Sequence, residues 1–266
     1  MRPERVGWSV GVYGAGGMLL GFMLLPIVAL IATISWSEFV AGIQHPSVLP
    51  ALWLSVRTTL TSLAIVVVLG TPLAWVLSRK TGRWVRVIET LVRLPVVLPP
   101  AVAGVALLLA FGNRGLLGGW LADLGISVSF STTAVIMAEI FVSAPFFLQA
   151  ATAAFRGIDD SLLIVARSLG AGPARVFFRV ALPIAAPNLV AGAAMSWARA
   201  LGEFGATLMF AGNKLGETQT LTLAVYTTFE RDTRAAQAIS LVLVAVAFTL
   251  LFTLAKTGQR SAPEGH

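Results

Sequence analysis

Ala166-Arg-Ser-Leu-Gly-Ala-Gly-Pro-Ala-Arg-Val-Phe-Phe-Arg-Val-Ala-Leu-Pro183 is a basic, half-apolar interruption set between runs long enough to cross a bilayer. Its Arg167, Arg175 and Arg179 are costly in lipid, whereas Leu169, Val176, Phe177 and Phe178 are poorly placed in bulk water. A protein partner at the membrane face satisfies both groups. The segment from about 156 to 183 therefore reads as a docking loop of an integral membrane protein.

The chain on either side is lipid-soluble. Hydrophobic residues make up 57% and charged residues only 12%, and the mean hydropathy of +0.85 is far above that of an ordinary soluble domain. A hydrocarbon core about 30 Å thick takes roughly 20 helical residues to cross. Val6 to Ser37, Thr58 to Ser78, Leu94 to Asn113 and Ala235 to Ala255 reach that length without a charge. Leu124 to Phe155 is broken only by Glu139, and Val180 to Asn213 only by Arg199 and Glu203. The reading is an all-α, polytopic chain with six transmembrane helices near 12–36, 56–78, 95–112, 133–154, 185–208 and 236–256. Long unbroken apolar runs exclude the alternating strands of a membrane β-barrel, and a helix satisfies its own backbone in lipid. One transmembrane domain, 1–266, accounts for the chain, because no segment between spans is long enough for an independent soluble core.

The formal net charge of +7 is spread over short loops rather than gathered in one patch, which argues for membrane topology and against nucleic acid. Placing both termini in the cytoplasm puts most Lys and Arg on the inner side: Arg2 and Arg5; Arg79, Lys80, Arg83, Arg86 and Arg93; Arg156 and the three loop arginines; Lys256 and Arg260. The outer loops keep Arg114, Lys214, Arg231 and Arg234. The first span is too long for the apolar stretch of a signal peptide and lacks a small-residue cleavage site, so it reads as retained. With no cysteine, a disulfide framework, a thiol nucleophile and a thiolate metal site are all excluded.

No catalytic or nucleotide-binding arrangement is present. The chain lacks a Gly-x4-Gly-Lys-Ser/Thr loop and a His-Glu-x2-His motif, and its only histidines are His45 and His266. Catalytic residues, cofactor-binding residues and metal ligands are therefore expected to be none. Ionisable residues inside spans carry a penalty unless paired or hydrated. Arg199 and Glu203, four apart, share a helix face and either form a self-contained ion pair or serve on a pathway. Glu139 and Arg57 fall toward the same outer end, so Arg199, Glu203 and Glu139 are the candidate pathway residues, with Arg199 offering its charge to an anion. Leu94-Pro-Val-Val-Leu-Pro-Pro100 opens the third span either as a proline-tolerant helix end or as a hinge. Gly202 and Gly205 flank Phe204, where missing side chains favour close helix approach.

The docking loop resembles that of binding-protein-dependent ABC import permeases, whose motif runs Glu-Ala-Ala-x3-Gly-x9-Ile-x-Leu-Pro. Ala166 matches the second alanine, Gly170 the glycine, Val180 the isoleucine position and Leu182-Pro183 the ending, while Ile164 and Val165 stand where the motif has Glu-Ala. Trp197-Ala-Arg-Ala-Leu-Gly-Glu-Phe-Gly-Ala-Thr-Leu-Met-Phe-Ala-Gly-Asn213, with Gly216-Glu-Thr-Gln-Thr-Leu-Thr-Leu-Ala-Val-Tyr226 after it, is similar to the molybdate permeases, with sulfate and tungstate permeases close by.

The resemblance implies the type I ABC importer permease fold, with two short coupling helices in the loop. Ala166, Arg167, Gly170, Arg175, Phe177, Phe178, Leu182 and Pro183 would be its ATPase-coupling residues. It also implies a transport subunit without enzymatic activity, working as a homodimer in a bacterial or archaeal inner membrane. A separate ABC ATPase subunit would bind ATP and Mg, and a soluble oxyanion-binding protein would deliver molybdate, tungstate or sulfate. Two other readings remain open from the residues: a secondary transporter, for which no internal repeat is seen, and a membrane assembly factor.

Overall fold

The computed structural model describes residues 3–260, so Arg2 and His266 lie outside the described residues. All regular structure among them is helical: α1 (Pro3–Ala32), α2 (Trp36–Ile43), α3 (Val48–Arg79), α4 (Arg83–Val97), α5 (Pro100–Phe111), α6 (Gly118–Asp123), α7 (Thr132–Arg156), α8 (Asp160–Ser168), α9 (Pro173–Val176), α10 (Leu182–Leu201), α11 (Gly205–Ala211), α12 (Leu221–Phe229) and α13 (Thr233–Arg260).

Among the described residues, four segments are long and apolar enough to cross a membrane: Tyr13–Ala32, Val48–Arg79, Thr132–Arg156 and Pro173–Leu201. A fifth is obtained if α4 and α5 count as one span, but the pair is bent by 116°. Where one continuous span is expected at 95–112, the chain instead forms two helices with a sharp bend between them. Pro99 and Pro100 follow Val97; Leu98 is extended before Pro99, as a residue preceding proline tends to be, and Pro100 starts α5 at a helix position that needs no N–H donor. Near the sixth expected span, the shorter apolar helix is Thr233–Thr249.

The fifth span departs from expectation at both ends. Its helix starts at Pro173 instead of near 185, so the second half of the loop expected over 156–183 is already helical. Pro183 cannot donate to the ladder, and a π-helical turn over Phe177–Ala181 absorbs the change, with the Leu182 N–H donating to the Phe177 carbonyl. At the other end α10 stops at Leu201, and Gly202 to Phe204 separate it from α11.

The chain divides into two compact units. One comprises Met1–His45 with Val225–Val242. There the side-chain amide of Gln237 donates to the Leu30 carbonyl at 2.9 Å and to Thr33 Oγ1 at 2.7 Å, and Arg234 donates to the Thr33 carbonyl at 2.6 Å. Ser35 and Glu38 form a reciprocal capping box at the start of α2. Hydrogen bonds from the Ser35 side chain and backbone hold the Glu38 carboxyl below its usual range. Along α1 the large apolar side chains Met18, Phe22, Leu25 and Ile31 are exposed, as a lipid-facing helix requires.

The other unit comprises Pro46–Ala224 with Leu243–His266 and is built on α3, α7 and α10. One core gathers Phe147, Phe155, Val176, Ala185 and Leu189; a second joins Leu107, Val135, Val142 and Phe210. Lipid tails are as apolar as these side chains, so close packing and hydrogen bonds, more than exclusion of water, hold the helices together. Small residues make that approach possible. A Cβ on Gly104 would lie 2.7 Å from the Ala206 carbonyl oxygen, and one on Gly192 would lie 2.7 Å from Ala150 Cβ.

Gly104→Val is therefore expected to destabilise the detergent-solubilised protein by about 1–3 kcal/mol through overpacking, whereas Gly119→Val, whose Cβ meets nothing within 4 Å, should leave stability nearly unchanged. Thermal unfolding of the two variants side by side checks this; equal midpoints would remove the close α5–α11 crossing.

Candidate coupling surface and buried polar cluster

The surface is built around one turn. Asp159 caps α8 by accepting the Ser161 backbone N–H at 2.9 Å, and the backbone and side-chain hydrogen bonds from Ser161 hold its carboxyl below the usual range. At the far end, the Gly170 N–H donates to the Arg167 carbonyl at 2.9 Å and the Ala171 N–H to the Ala166 carbonyl at 3.0 Å. That pair of bonds is a Schellman closure, and it demands the left-handed φ of +82° found at Gly170. Gly172 then leads into Pro173, the first residue of α9. The motif alanine and glycine are thus the two ends of a single helix-terminating device.

The side chains sort into two sets. Leu169 and Phe178 are 82% and 63% exposed, Ile164 and Val165 are exposed beside them, and Arg167, Arg175 and Arg179 also face outward. Two expected docking residues are not there. Val176 is buried, and Phe177 is half-buried, with its ring 5.5 Å from Trp75 and 6.0 Å from Phe155. The helical period sends them to the core face while neighbouring Phe178 points away. Leu182 is half-buried and Pro183 exposed, both in the first turn of α10.

Two ion pairs fasten this region to the spans. Arg79, at the end of α3, pairs with Asp160 at 2.6 Å, donates to the Phe155 carbonyl and lies over the Trp75 ring. Arg156, at the end of α7, pairs with Glu89 of α4. The partners lie far apart in sequence, so sequence spacing gave no sign of either pair.

The expected polar cluster is only partly assembled. Arg199 and Glu203 meet at 2.6 Å although Glu203 lies beyond the end of α10. The buried Glu203 also accepts the Ala206 backbone N–H at 2.8 Å, capping α11, and its carbonyl accepts from Thr222 at 2.7 Å. Glu139 is buried too, but its partner is Thr58 of α3, at 2.7 Å, rather than a cation. Ser55, one turn earlier on α3, accepts the Leu221 N–H at 2.7 Å, which links the Glu139 and Glu203 regions through the start of α12. Arg57, expected beside them, lies on the exposed face of α3. Among the described residues no group of three or more His, Cys, Asp or Glu is placed to hold a metal ion.

Residues 67–259 match the family described as binding-protein-dependent transport system inner membrane component. The chain belongs to that family. It is 47% identical over 226 residues to the molybdenum transport system permease protein ModB of Mycobacterium tuberculosis, covering 85% of this chain and 86% of the relative. A probable transport system permease protein, NifC of Clostridium pasteurianum, is 36% identical over 86% of this chain and 80% of its own. The sulfate transport system permease protein CysT of Escherichia coli is 33% identical over 87% and 85%. The fold is that of a chain in a bacterial alginate ABC transporter, with TM-score 0.76 at 16% identity over 98% of both chains. The MetNI methionine ABC transporter gives 0.65 at 18% identity over 81% of this chain and 96% of the other. The protein is thus a multi-pass permease component of an ABC import system, a role distinct from that of an enzyme.

Arg199→Ala removes the cation paired with Glu203, a carboxylate that is 2% exposed. A loss of about 3 kcal/mol or more is expected, with partial recovery in the Arg199→Met, Glu203→Gln double variant, read by thermal unfolding. An unchanged midpoint for Arg199→Ala would mean that the pair contributes nothing to the fold.

Proposed function

We propose that this chain translocates molybdate as one half of a homodimeric, six-span permease with cytoplasmic termini. A soluble binding protein delivers the oxyanion, and a separate ATPase subunit binds ATP and Mg. The observation that carries the coupling part of this reading is the Gly170 turn with Leu169 and Phe178 held outward among three arginines. Such a surface suits a groove that offers an apolar floor and an acidic rim. The substrate rests on the likeness to molybdenum permeases over most of the chain; sulfate and tungstate are the alternatives that the weaker likenesses support.

Ala166, Arg167, Gly170, Arg175 and Phe178 carry the contact in this account, with Phe177, Leu182 and Pro183 anchoring it to α10. ATP-driven closure of the ATPase pair moves α8, and the Arg79–Asp160 and Arg156–Glu89 pairs pass that motion to α3, α4 and α7. At the other end of α10, Arg199 offers positive charge to the passing anion, with Glu203 as the partner it returns to and Glu139 beside the same α3–α12 link. An Arg199 that a buried carboxylate competes for binds an anion only weakly, as passage requires.

Reconstitution with the ATPase and binding protein, followed by ATP-dependent uptake of molybdate, tungstate and sulfate in competition, tests the substrate; transport of none of the three overturns it. Gly170→Pro removes the N–H that closes the turn and forbids its positive φ, and Phe178→Asp puts a charge on the docking face. Both should abolish uptake while the ATPase, assayed alone, keeps its hydrolysis rate. Normal coupling in both variants would refute the docking role.

A further inference from the structure

The pathway groups named so far sit at the Arg199 end of α10. Toward the coupling surface, a cavity of about 650 Å³ opens between α7 and α10, lined chiefly by Ala, Gly and apolar side chains. Its polar exceptions are Gln149 and Asn188. Both are exposed, both belong to segments apolar enough to span the membrane, and neither side chain hydrogen-bonds to any described residue. An amide turned toward hydrocarbon leaves its donors and acceptor unmet at a cost of several kcal/mol. The face these two share is therefore wet or covered by polar groups.

A second observation chooses between those cases. Gln149 and Ala153 also line an adjoining cavity of about 310 Å³ beside α4, whose charged members are Arg93, Arg156 and Glu89. Glu89 neutralises Arg156, and Arg93 has no carboxylate partner among the described residues, so the joined space carries a net positive charge at one end and neutral amide donors along its wall. A face meant for a second copy of the chain would bring another unpaired Arg93 to it.

We propose that the two joined cavities form the inner half of the anion path. Gln149 and Asn188 donate N–H groups to a partly hydrated tetrahedral oxyanion, and Arg93 draws it toward the coupling-surface end. This inference rests on the oxyanion reading above and adds residues that carry no charge in the membrane. Neutral donors hold an anion loosely enough to release it.

Because the chain has no cysteine, Gln149→Cys, Asn188→Cys and Ala153→Cys each provide a single thiol in the full-length protein. In open membrane fragments at low ionic strength, all three should react with a charged methanethiosulfonate, whereas Leu69→Cys, on an exposed apolar face of α3, should not. With each reagent normalised to its rate on a free thiol in solution, the anionic one should be favoured at Gln149→Cys by about tenfold, and Arg93→Gln should abolish that preference. The proposal is overturned by absence of reaction at all three positions, by disulfide formation between copies at Asn188→Cys in place of reaction, or by a charge preference indifferent to Arg93→Gln. Modification is read without transport, so its failure is separable from a failure of molybdate uptake.

Discussion

Hydrocarbon supplies no hydrogen-bond partner, and that constraint organises the whole spanning unit. Several of its buried polar groups meet a neighbour that another element supplies. Glu203 binds Arg199 and the first turn of α11, Thr58 reaches Glu139, Ser196 donates to the Ser143 carbonyl, and Ser55 receives the buried N–H of Leu221 at the start of α12. Without these pairings the break after Leu201 would leave free backbone groups inside the bilayer. With them, the interruption between α10 and α11 is tolerable in lipid.

The same economy shapes the coupling region. A Schellman turn ends α8 within a few residues, so α9 can start at once and continue through the π-helical turn into α10. Any displacement of the exposed Leu169 edge is therefore delivered to α10 through a short, hydrogen-bonded connection. Arg79–Asp160 and Arg156–Glu89 add links to α3 and α4. Asp160 is 78% exposed, so its pair contributes little to stability; its use is positional, fixing where the start of α8 sits against the span ends.

Much of this was legible in the sequence, and what was missed has physical causes. Apolar runs of spanning length, two of them uncharged and two broken only by Glu139 or by Arg199 and Glu203, located the four long apolar helices, because insertion in lipid depends on composition more than on pairing. The docking loop was expected to run to Pro183, and its second half proved helical. Proline is at home in a first helical turn, so Pro173 and Pro183 both sit inside one spanning segment. Val176 and Phe177 were assigned to the docking face from their apolar character, when only helical phase separates them from Phe178. Among ionisable groups, the i,i+4 spacing exposed the Arg199–Glu203 pair. The partners of Glu139 and Arg79 lie some 80 residues away and left no periodic trace. Gln149 and Asn188 carry no charge, and an unpartnered amide shows only once its surroundings are known.

The central claim is that the Leu169 edge touches an ATPase subunit. Leu169→Cys introduces a single thiol at an 82% exposed position of a cysteine-free chain, and a short photoactivatable cross-linker attached there, in membranes containing the assembled transporter, reads contact directly. The account predicts cross-linking to the ATPase, and none from Trp120→Cys, an exposed position on α6. Cross-linking to lipid alone, or equal capture from both positions, would contradict it.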